Sequence, residues 1–318
     1  MTRSSADIPG TKTGRPLVTV GMPLYNNAAH IRQSLESLLA QSYKPIEIII
    51  SDDGSDDRTF EICRKLARNN PEIRLFQNRH RTGIRTNFNT VLRRAQGKYF
   101  TWAAGDDLRH QRAIEKLTSL LERYPDAVLA ISGWQQFNDR IQHVFRLPDR
   151  VRFEKAEALE LLMRHPEYIA GMFYGLYRTE VLRSCGGLYS DRRIHFEGTS
   201  DTMTVFRVLL RGDLVHTSGI YFSKKDTGLY LERHTVLSSP ERLRTAFPKI
   251  IRYMTNPLLF LADCLSSLKL TFSSQMPLHD KLRISHATVL RLFRQSGHFF
   301  GEIFRTFRTG IAAFLRRG

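Results

Sequence analysis

Residues 46–59, IEIIISDDGSDDRT, carry the pattern that decides the fold. Ile46 to Ile50 is β-branched with no polar alternation apart from Glu47, as a strand covered on both faces requires. The run stops at Ser51-Asp52-Asp53-Gly54, and Asp56 or Asp57 then stands where a carboxylate caps a helix reaching about Arg68, with Ile62 and Leu66 on its inner face. On the N-terminal side, Leu17–Met22 is a short apolar run halted by Pro23, and Ala28–Ala40 places Ile31, Leu35, Leu38 and Leu39 at helical spacing. On the C-terminal side, Ile73–Phe76 and Lys98–Ala103 are further strand candidates, with helices over Thr86–Ala95 and Ile114–Leu121. Strands alternating with helices imply βαβ units in an α/β fold, with a mostly parallel central sheet and helices on both faces. Beyond residue 125 the pattern is less regular. Val128–Ser132 reads as a fifth strand, Val144–Phe153 as edge structure, and Ala156–Met163 and Thr202–Leu210 as helices.

With 318 residues and 42% hydrophobic content, the chain has enough apolar material for a sizeable core, which excludes disorder as its main state. No run reaches the roughly 18 uncharged apolar residues of a membrane-spanning helix. The opening MTRSSADIPGTKTGRP lacks the apolar centre of a secretory signal, and residues 1–14 read as a flexible lead-in. Cys63, Cys185 and Cys264 are odd in number and far apart, which suits a reducing, cytoplasmic setting. The formal charge of +17 asks for an acidic partner. From residue 240 onward, 13 Lys and Arg face 4 acidic residues, a net of +9, and Phe, Leu and Arg dominate. This change separates an α/β domain over 15–239, itself divided near residue 125, from a basic helical region over 240–318.

Within that region Phe293, Phe300, Ile303, Phe304, Phe307, Ile311 and Phe314 recur at steps of mostly three or four residues among Arg291, Arg294, Arg305, Arg308, Arg316 and Arg317. Phe on one side with Arg nearby is the pattern of an amphipathic helix on an anionic membrane surface, and Leu258–Phe272 adds a second helix. The same stripe also fits packing on protein. Nucleic acid is disfavoured as the partner, because no RRM-type aromatic motif or zinc finger is present.

Polar clusters fall at the carboxyl ends of three expected strands: Pro23 to Asn26, Asp52-Asp53, and Asp106-Asp107. In an open α/β sheet that edge is the ligand crevice. Two acidic pairs facing one crevice repel, so they predict either a divalent cation between them or raised pKa values. Asp-Asp-Gly-Ser and Gly-Asp-Asp are also good turn sequences, and it is their occurrence at corresponding strand ends that favours a site. GxGxxG after the first strand, GxxxxGK[ST], HExxH and GxSxG are all missing, which demotes dinucleotide oxidoreductases and P-loop enzymes.

The segments PLVTVGMPLYNNAAHIRQSLESLLAQSY, EIIISDDGSDDRT and RTGIRTNFNTVLRRAQGKYFTWAAGDDL resemble the nucleotide-diphospho-sugar domain of the family 2 glycosyltransferases, closely over residues 15–125 and more loosely to about 235. The resemblance implies a GT-A fold, a nucleotide-sugar donor, a divalent metal (Mn2+ or Mg2+) and inversion at the anomeric carbon. It places Pro23 and Tyr25 against the nucleoside, Asp53 on the base with Asp52 in support, and Gly83 and Asn89 beside the nucleotide pocket, with Phe88 where many members carry arginine. Ala104-Gly105-Asp106 occupies the place of the DxD motif. With Ala104 at its first position, Asp106 is the metal-ligand candidate and Asp107 supports it or contacts the sugar. Weaker metal affinity, or greater reliance on the donor pyrophosphate, is expected.

Further on, RTEVLRSCGGLY and EGTSDTMTVFRVLLRGDLVH resemble the region that precedes the family's catalytic base, with Ser200-Asp201 in place of Glu-Asp. Asp201 is then the base, since inversion needs a carboxylate to take the acceptor hydroxyl's proton. A helix N-cap is the competing reading of Asp201, and Glu197 is the alternative acid. Weaker candidates are Trp134 and Gln135 as an acceptor floor, Arg233 and His234 closing over the diphosphate, and Arg79 and Arg81 steering phosphate. The expected function is transfer of a sugar from a nucleoside diphosphate, with UDP the expected carrier, to a glycan or polyprenyl-linked acceptor at the cytoplasmic membrane face, in cell-surface polysaccharide assembly. A nucleotide-sugar-binding or scaffold protein whose catalysis has lapsed is the alternative, motivated by Ala104 and Ser200.

Overall fold

The Ile46 run forms strand β2 (Ile46–Asp52), every residue of it buried. The computed structural model describes residues 14–137, 142–189, 200–225 and 256–292. Two compact units divide the chain, Met1–Lys225 and Asp226–Gly318. Residues 1–13, the expected boundary near residue 240, Glu197, Arg233, His234 and the tail from Phe293 to Leu315 lie outside the described residues.

In the first unit β2 lies between β1 (Val18–Leu24) and β3 (Ile73–Gln77), and β4 (Tyr99–Trp102) pairs with the other side of β1, all in parallel. The sheet continues through β9 (Leu176–Arg178), β6 (Ala127–Phe137) and β10 (Asp213–Lys225) to β5 (Leu108–Arg109). Short β7 (Gln142–Phe145) pairs with β6, and β8 (Arg152–Phe153) with β10. β9 is antiparallel to both neighbours, which returns β6 and β10 to the direction of β1. The carboxyl ends of β1, β2, β4, β6 and β10 therefore face the same way.

Alternation sorts the core. Val18, Val20 and Met22 pack with Ile46, Ile48 and Ile50 in one apolar cluster. Helix α1 (Ile31–Leu39) adds Ile31, Leu35 and Leu38, and helix α4 (Ala113–Arg123) adds Ile114, Leu117 and Leu121. Helix α2 (Thr59–Ala67) contributes Cys63, with Ile62 and Leu66 packed alongside. Gly21 serves the opposite face, where a Cβ would lie 2.7 Å from the Phe100 ring and 2.8 Å from Val91 of helix α3 (Ile84–Arg94). On that side Trp102 stacks on Phe173 at 4.9 Å, and Phe88 joins at 5.9 Å from Trp102. The remaining helices of this unit are α5 (Lys155–Arg164), α6 (Ile169–Phe173), α7 (Thr179–Ser184) and α8 (Ser200–Leu209).

One sequence expectation is modified, and one strand goes unforeseen. Asp57 does not form a regular cap: α2 starts at Thr59, and Asp57 accepts the Thr59 N–H at 2.8 Å and the Ala28 N–H at 2.9 Å, joining the loops after β1 and β2. β10 escapes pattern reading because its pairing with β6 shifts register at Thr217/Ile220 and again at Ile220/Phe222, which breaks the period-two signal.

The second unit contains α9 (Asn256–Ser273) and a further helical stretch over 278–292. Cys264, Ser267, Thr271 and Thr288 are buried, whereas Leu265, Phe272, Leu278 and Leu282 are exposed. Among the described residues, no helix is long and apolar enough to cross a membrane.

Glu47, the one charge in the decisive run, is fully buried. It accepts from Thr19 Oγ1 at 2.6 Å, the Gln96 N–H at 2.6 Å and Arg74 Nη1 at 2.9 Å, so one carboxylate ties β1, β2, β3 and the turn before β4. Glu47→Ala would strand all three donors and should lower unfolding stability by about 3 kcal/mol, measured by denaturant titration.

Candidate active site

The crevice begins where β1 and β2 end. The Asp53 N–H extends the ladder to Leu24 O at 2.8 Å, and its buried carboxylate collects four donors. Oδ1 accepts from Asn78 Nδ2, the Thr82 N–H and Thr82 Oγ1 at 2.8, 2.8 and 2.7 Å, and Oδ2 accepts the Gly83 N–H at 2.8 Å. Burial works to raise this carboxyl's pKa, but the bonds from Thr82, Asn78 and Gly83 prevail and hold it below the usual carboxylate range. Gly83, at φ +90, supplies that N–H from a backbone conformation which disfavours a side chain, immediately before α3. Asp52 accepts from the Ser55 N–H and hydroxyl and from Gln77, so it shapes the turn. Half-buried Pro23 and Tyr25 line the adjoining loop, and the Arg81 guanidinium sits 4.1 Å over the Tyr25 ring. Arg79 is exposed.

The second part lies beyond β4. Ser34 Oγ of α1 donates to Ala104 O at 2.9 Å, and a Cβ on Gly105 would meet Asn27 at 2.7 Å, so the Ala104-Gly105-Asp106 turn packs tightly on the loop after β1. Asp106 is half-buried. Asp107 is buried: Oδ1 accepts the Lys225 N–H at 3.1 Å, while Oδ2 has no hydrogen-bond partner and faces Lys224 Nζ at 3.9 Å. Burial pushes the Asp107 carboxyl up to about 6, with Asp106 adding to the rise and Lys224 opposing it. β5 makes this meeting possible, because Leu108 and Arg109 pair with Ser223 and Phe222 of β10. Arg109 is buried beneath, donating to Thr101 Oγ1, Trp102 O and Tyr174 O at 2.9, 2.8 and 2.7 Å. Burial lowers its guanidinium to about 10, so it stays charged.

Asp201 stands in the first turn of α8 with an exposed side chain. The dense protein around it pushes its carboxyl up to about 6 against the pull of Lys224; its open, solvated side tempers the size of that shift and leaves the direction. Neither Asp106 nor Asp201 is engaged in a hydrogen bond or ion pair among the described residues. Tyr174 joins these groups: burial raises its hydroxyl pKa, and the charges of Asp107, Asp201 and Asp106 raise it further. Lys224 Nζ lies 5.2 Å from its ring.

The structure therefore brings Asp106, Asp107 and Asp201 around one phenol and one lysine, and sets Pro23, Tyr25, Asp52, Asp53 and Gly83 along the adjoining loops. Asn89 is engaged elsewhere, accepting the Leu188 N–H at 2.8 Å and donating to Leu188 O at 3.3 Å. Trp134 is buried and stacked on Phe145 at 4.1 Å. The sequence reading missed Lys224, Lys225, Tyr174, Arg109 and His30; only the lysines carried a signal, a doublet closing an apolar stretch.

The fit to a divalent cation is partial. Among the described residues no group of three or more His, Cys, Asp or Glu side chains is placed to hold one. Asp106 can offer one carboxylate, while the unpartnered Oδ2 of Asp107 is buried, so a cation here needs further oxygens from a ligand.

A family model described as glycosyl transferase family 2 matches residues 19–185. The chain is 28% identical over 229 residues to an uncharacterized glycosyltransferase, EpsJ, of Bacillus subtilis, covering 71% of this chain and 63% of that protein. It is 30% identical over 144 residues to an uncharacterized glycosyltransferase of Rickettsia typhi, covering 45% of this chain and 44% of that one. The chain thus spans less than two thirds of the length of these relatives. Among solved structures, S. aureus TarS 1-349 in complex with UDP-GlcNAc superposes with a TM-score of 0.62 at 17% identity, over 87% of this chain and 72% of that one. The mannosyltransferase PcManGT of Pyrobaculum calidifontis, in complex with GDP-Man and Mn2+, gives a TM-score of 0.51 at 17% identity, over 96% of this chain and 90% of that one. At these identities the structures speak for the fold.

The lowered Asp53 pKa is also a stability term. Its contribution is present above the unfolded value near 3.8 and is lost as pH falls through the lower folded value. Thermal midpoints of Asp53→Asn should be reduced at neutral pH, and the gap to wild type should narrow as pH drops below about 4.

Proposed function

The chain belongs to glycosyl transferase family 2, with a GT-A fold, and from that premise we propose that it transfers a sugar, with inversion, from a nucleoside diphosphate donor to a glycan or lipid-linked acceptor. The observation that carries this reading is the convergence of Asp106, Asp107 and Asp201 at one sheet edge, beside the loops that Asp53 holds in place. The UDP-GlcNAc complex of the TarS neighbour supports UDP as the carrier.

In this reading Pro23 and Tyr25 flank the nucleoside, and Asp53, with one donor on Oδ2, keeps a lone pair for a base N–H. Asp201 accepts the proton of the acceptor hydroxyl as that oxygen bonds to the anomeric carbon and the bond from that carbon to the diphosphate oxygen breaks. A raised pKa makes Asp201 a stronger base while leaving it ionised at neutral pH. Asp106, with donor phosphates completing the coordination, would hold a Mn2+ or Mg2+ ion, which when bound offsets charge on the leaving diphosphate. Asn89 acts from a distance, by fixing the Gly186-Gly187-Leu188 turn.

The second unit supports a peripheral position at the cytoplasmic membrane face, in polysaccharide assembly. Its described helices expose Leu265, Phe272, Leu278 and Leu282, and Lys269 and Lys281 lie on the same helices, a combination that suits an anionic membrane surface. Ala104 and Ser200 favour a second reading, a nucleotide-sugar-binding component without turnover.

Asp201→Asn should cut transfer by a factor of about 100 or more while sparing donor affinity, and wild-type turnover should fall as pH drops into the acid range from a point above the ordinary aspartate value, because the base becomes protonated. Donor consumption assays across pH, with UDP-sugar titrations of the variant, check both; no turnover by wild type with any nucleotide sugar would support the second reading. Flotation with anionic vesicles should recover wild type and lose a Leu278→Glu, Leu282→Glu variant, whereas equal recovery would remove the membrane assignment.

A further inference from the structure

We propose that Lys224 and Lys225, together with His30, form a protein-borne cationic site that holds a diphosphate without requiring a divalent cation. The inference deepens the donor reading above, and it starts from where three loops meet. β10 ends in Lys224 and Lys225 at the same edge as Asp106, because β5 pins the β4 loop to Ser223 and Phe222. The Lys225 ammonium lies 3.3 and 3.5 Å from the two ring nitrogens of His30. His30 directly precedes α1, whose Ser34 bonds to Ala104. His30 and Lys225 thus stand beside the turn in which the first DxD carboxylate is replaced by alanine.

The chemistry of these contacts favours an anion. Among the described residues Lys225 has no carboxylate partner, and its side chain meets an imidazole, which accepts only through a deprotonated nitrogen. A phosphate oxygen placed between them would accept from both. Lys224 Nζ is 3.9 Å from Asp107 Oδ2, too far for a hydrogen bond, so its donors are also unspent there. Asp107 still anchors the pair, through the Lys225 N–H on one oxygen and the charge of Lys224 on the other. Two ammonium groups and the buried Arg109 guanidinium formally balance Asp106, Asp107 and Asp201, and Ala104 removes a negative charge from the same turn. Each of these changes moves the edge from gathering a cation towards gathering an anion.

The test is calorimetric titration of the full-length protein with inorganic pyrophosphate and with UDP, in EDTA. Wild type should bind both, and Lys224→Gln and Lys225→Gln should each weaken pyrophosphate binding roughly tenfold, with Lys225→Arg restoring most of it. Thermal midpoints equal to wild type establish that the variants are folded. Pyrophosphate binding that requires Mn2+ or Mg2+ in the wild type would overturn the proposal, as would folded Gln variants that bind as wild type does. Pyrophosphate binding that survives EDTA and depends on the lysines, in a protein that neither binds nor turns over any nucleotide sugar, would keep the site and sink the donor reading.

Discussion

A carboxylate buried at the end of a strand has to be satisfied, and the way Asp53 is satisfied shapes the whole crevice. Little water reaches it, so its oxygens draw in Asn78, Thr82 and Gly83 from across the β3–α3 loop. That loop then has one available path, and Gly83 takes the positive φ that the path demands. With Asp57 joining the loops after β1 and β2, and Asn87 of α3 donating to Ser51 O at 2.9 Å, this side of the crevice is built from groups already bonded to one another. Such a surface is pre-organised: a ligand meets it without ordering it first.

The other side is held differently. Asp107 has one oxygen without a hydrogen-bond partner, and among the described residues Asp106 and Asp201 have no hydrogen bond or ion pair. Carboxylates left in this condition near one another raise each other's pKa unless positive charge is at hand. Lys224 provides it for both Asp107 and Asp201, and Arg109, buried beneath, adds a charge that cannot leave. The contrast separates scaffold from chemistry. Where bonding is complete the residues hold loops in place, and Asp106 and Asp201 carry charge that the described residues leave unbonded.

The first 125 residues were legible because their strands and helices are long enough for period to show. Ile46–Ile50 announces burial on both faces, and Ile31, Leu35 and Leu38 announce one helix face. Asp52, Asp53, Asp106 and Asp107 could be placed at one edge from strand ends alone. What was not legible depends on partners distant in sequence. β9 is three residues long and antiparallel, which no local pattern signals. Lys224 gains its meaning from a two-residue strand 115 positions earlier, and Asn89 from a turn 99 positions later. Trp134 shows the same limit: its neighbours Phe145 and Phe222 become visible only when β6, β7 and β10 are assembled.

Phe88 and the lysine doublet are two sides of one arrangement. Where the family resemblance leads one to expect arginine on α3, this chain carries a ring that packs against Trp102 and Phe173, and the helix there contributes to the core. The aromatic layer so formed, with Trp102 stacked on Phe173, continues through the Phe173–Tyr174 contact to the phenol that sits among the three carboxylates. Positive charge then enters the crevice from β10, whose end is fixed by β5 and by Asp107. A cation carried on a paired strand end keeps its position with less loss of freedom than one on a surface helix, since its backbone is already ordered by the sheet. The +17 of the whole chain is therefore a poor guide to this site, where the local field is set by neighbouring side chains, Asp106, Asp107 and Asp201 against Arg109, Lys224 and Lys225.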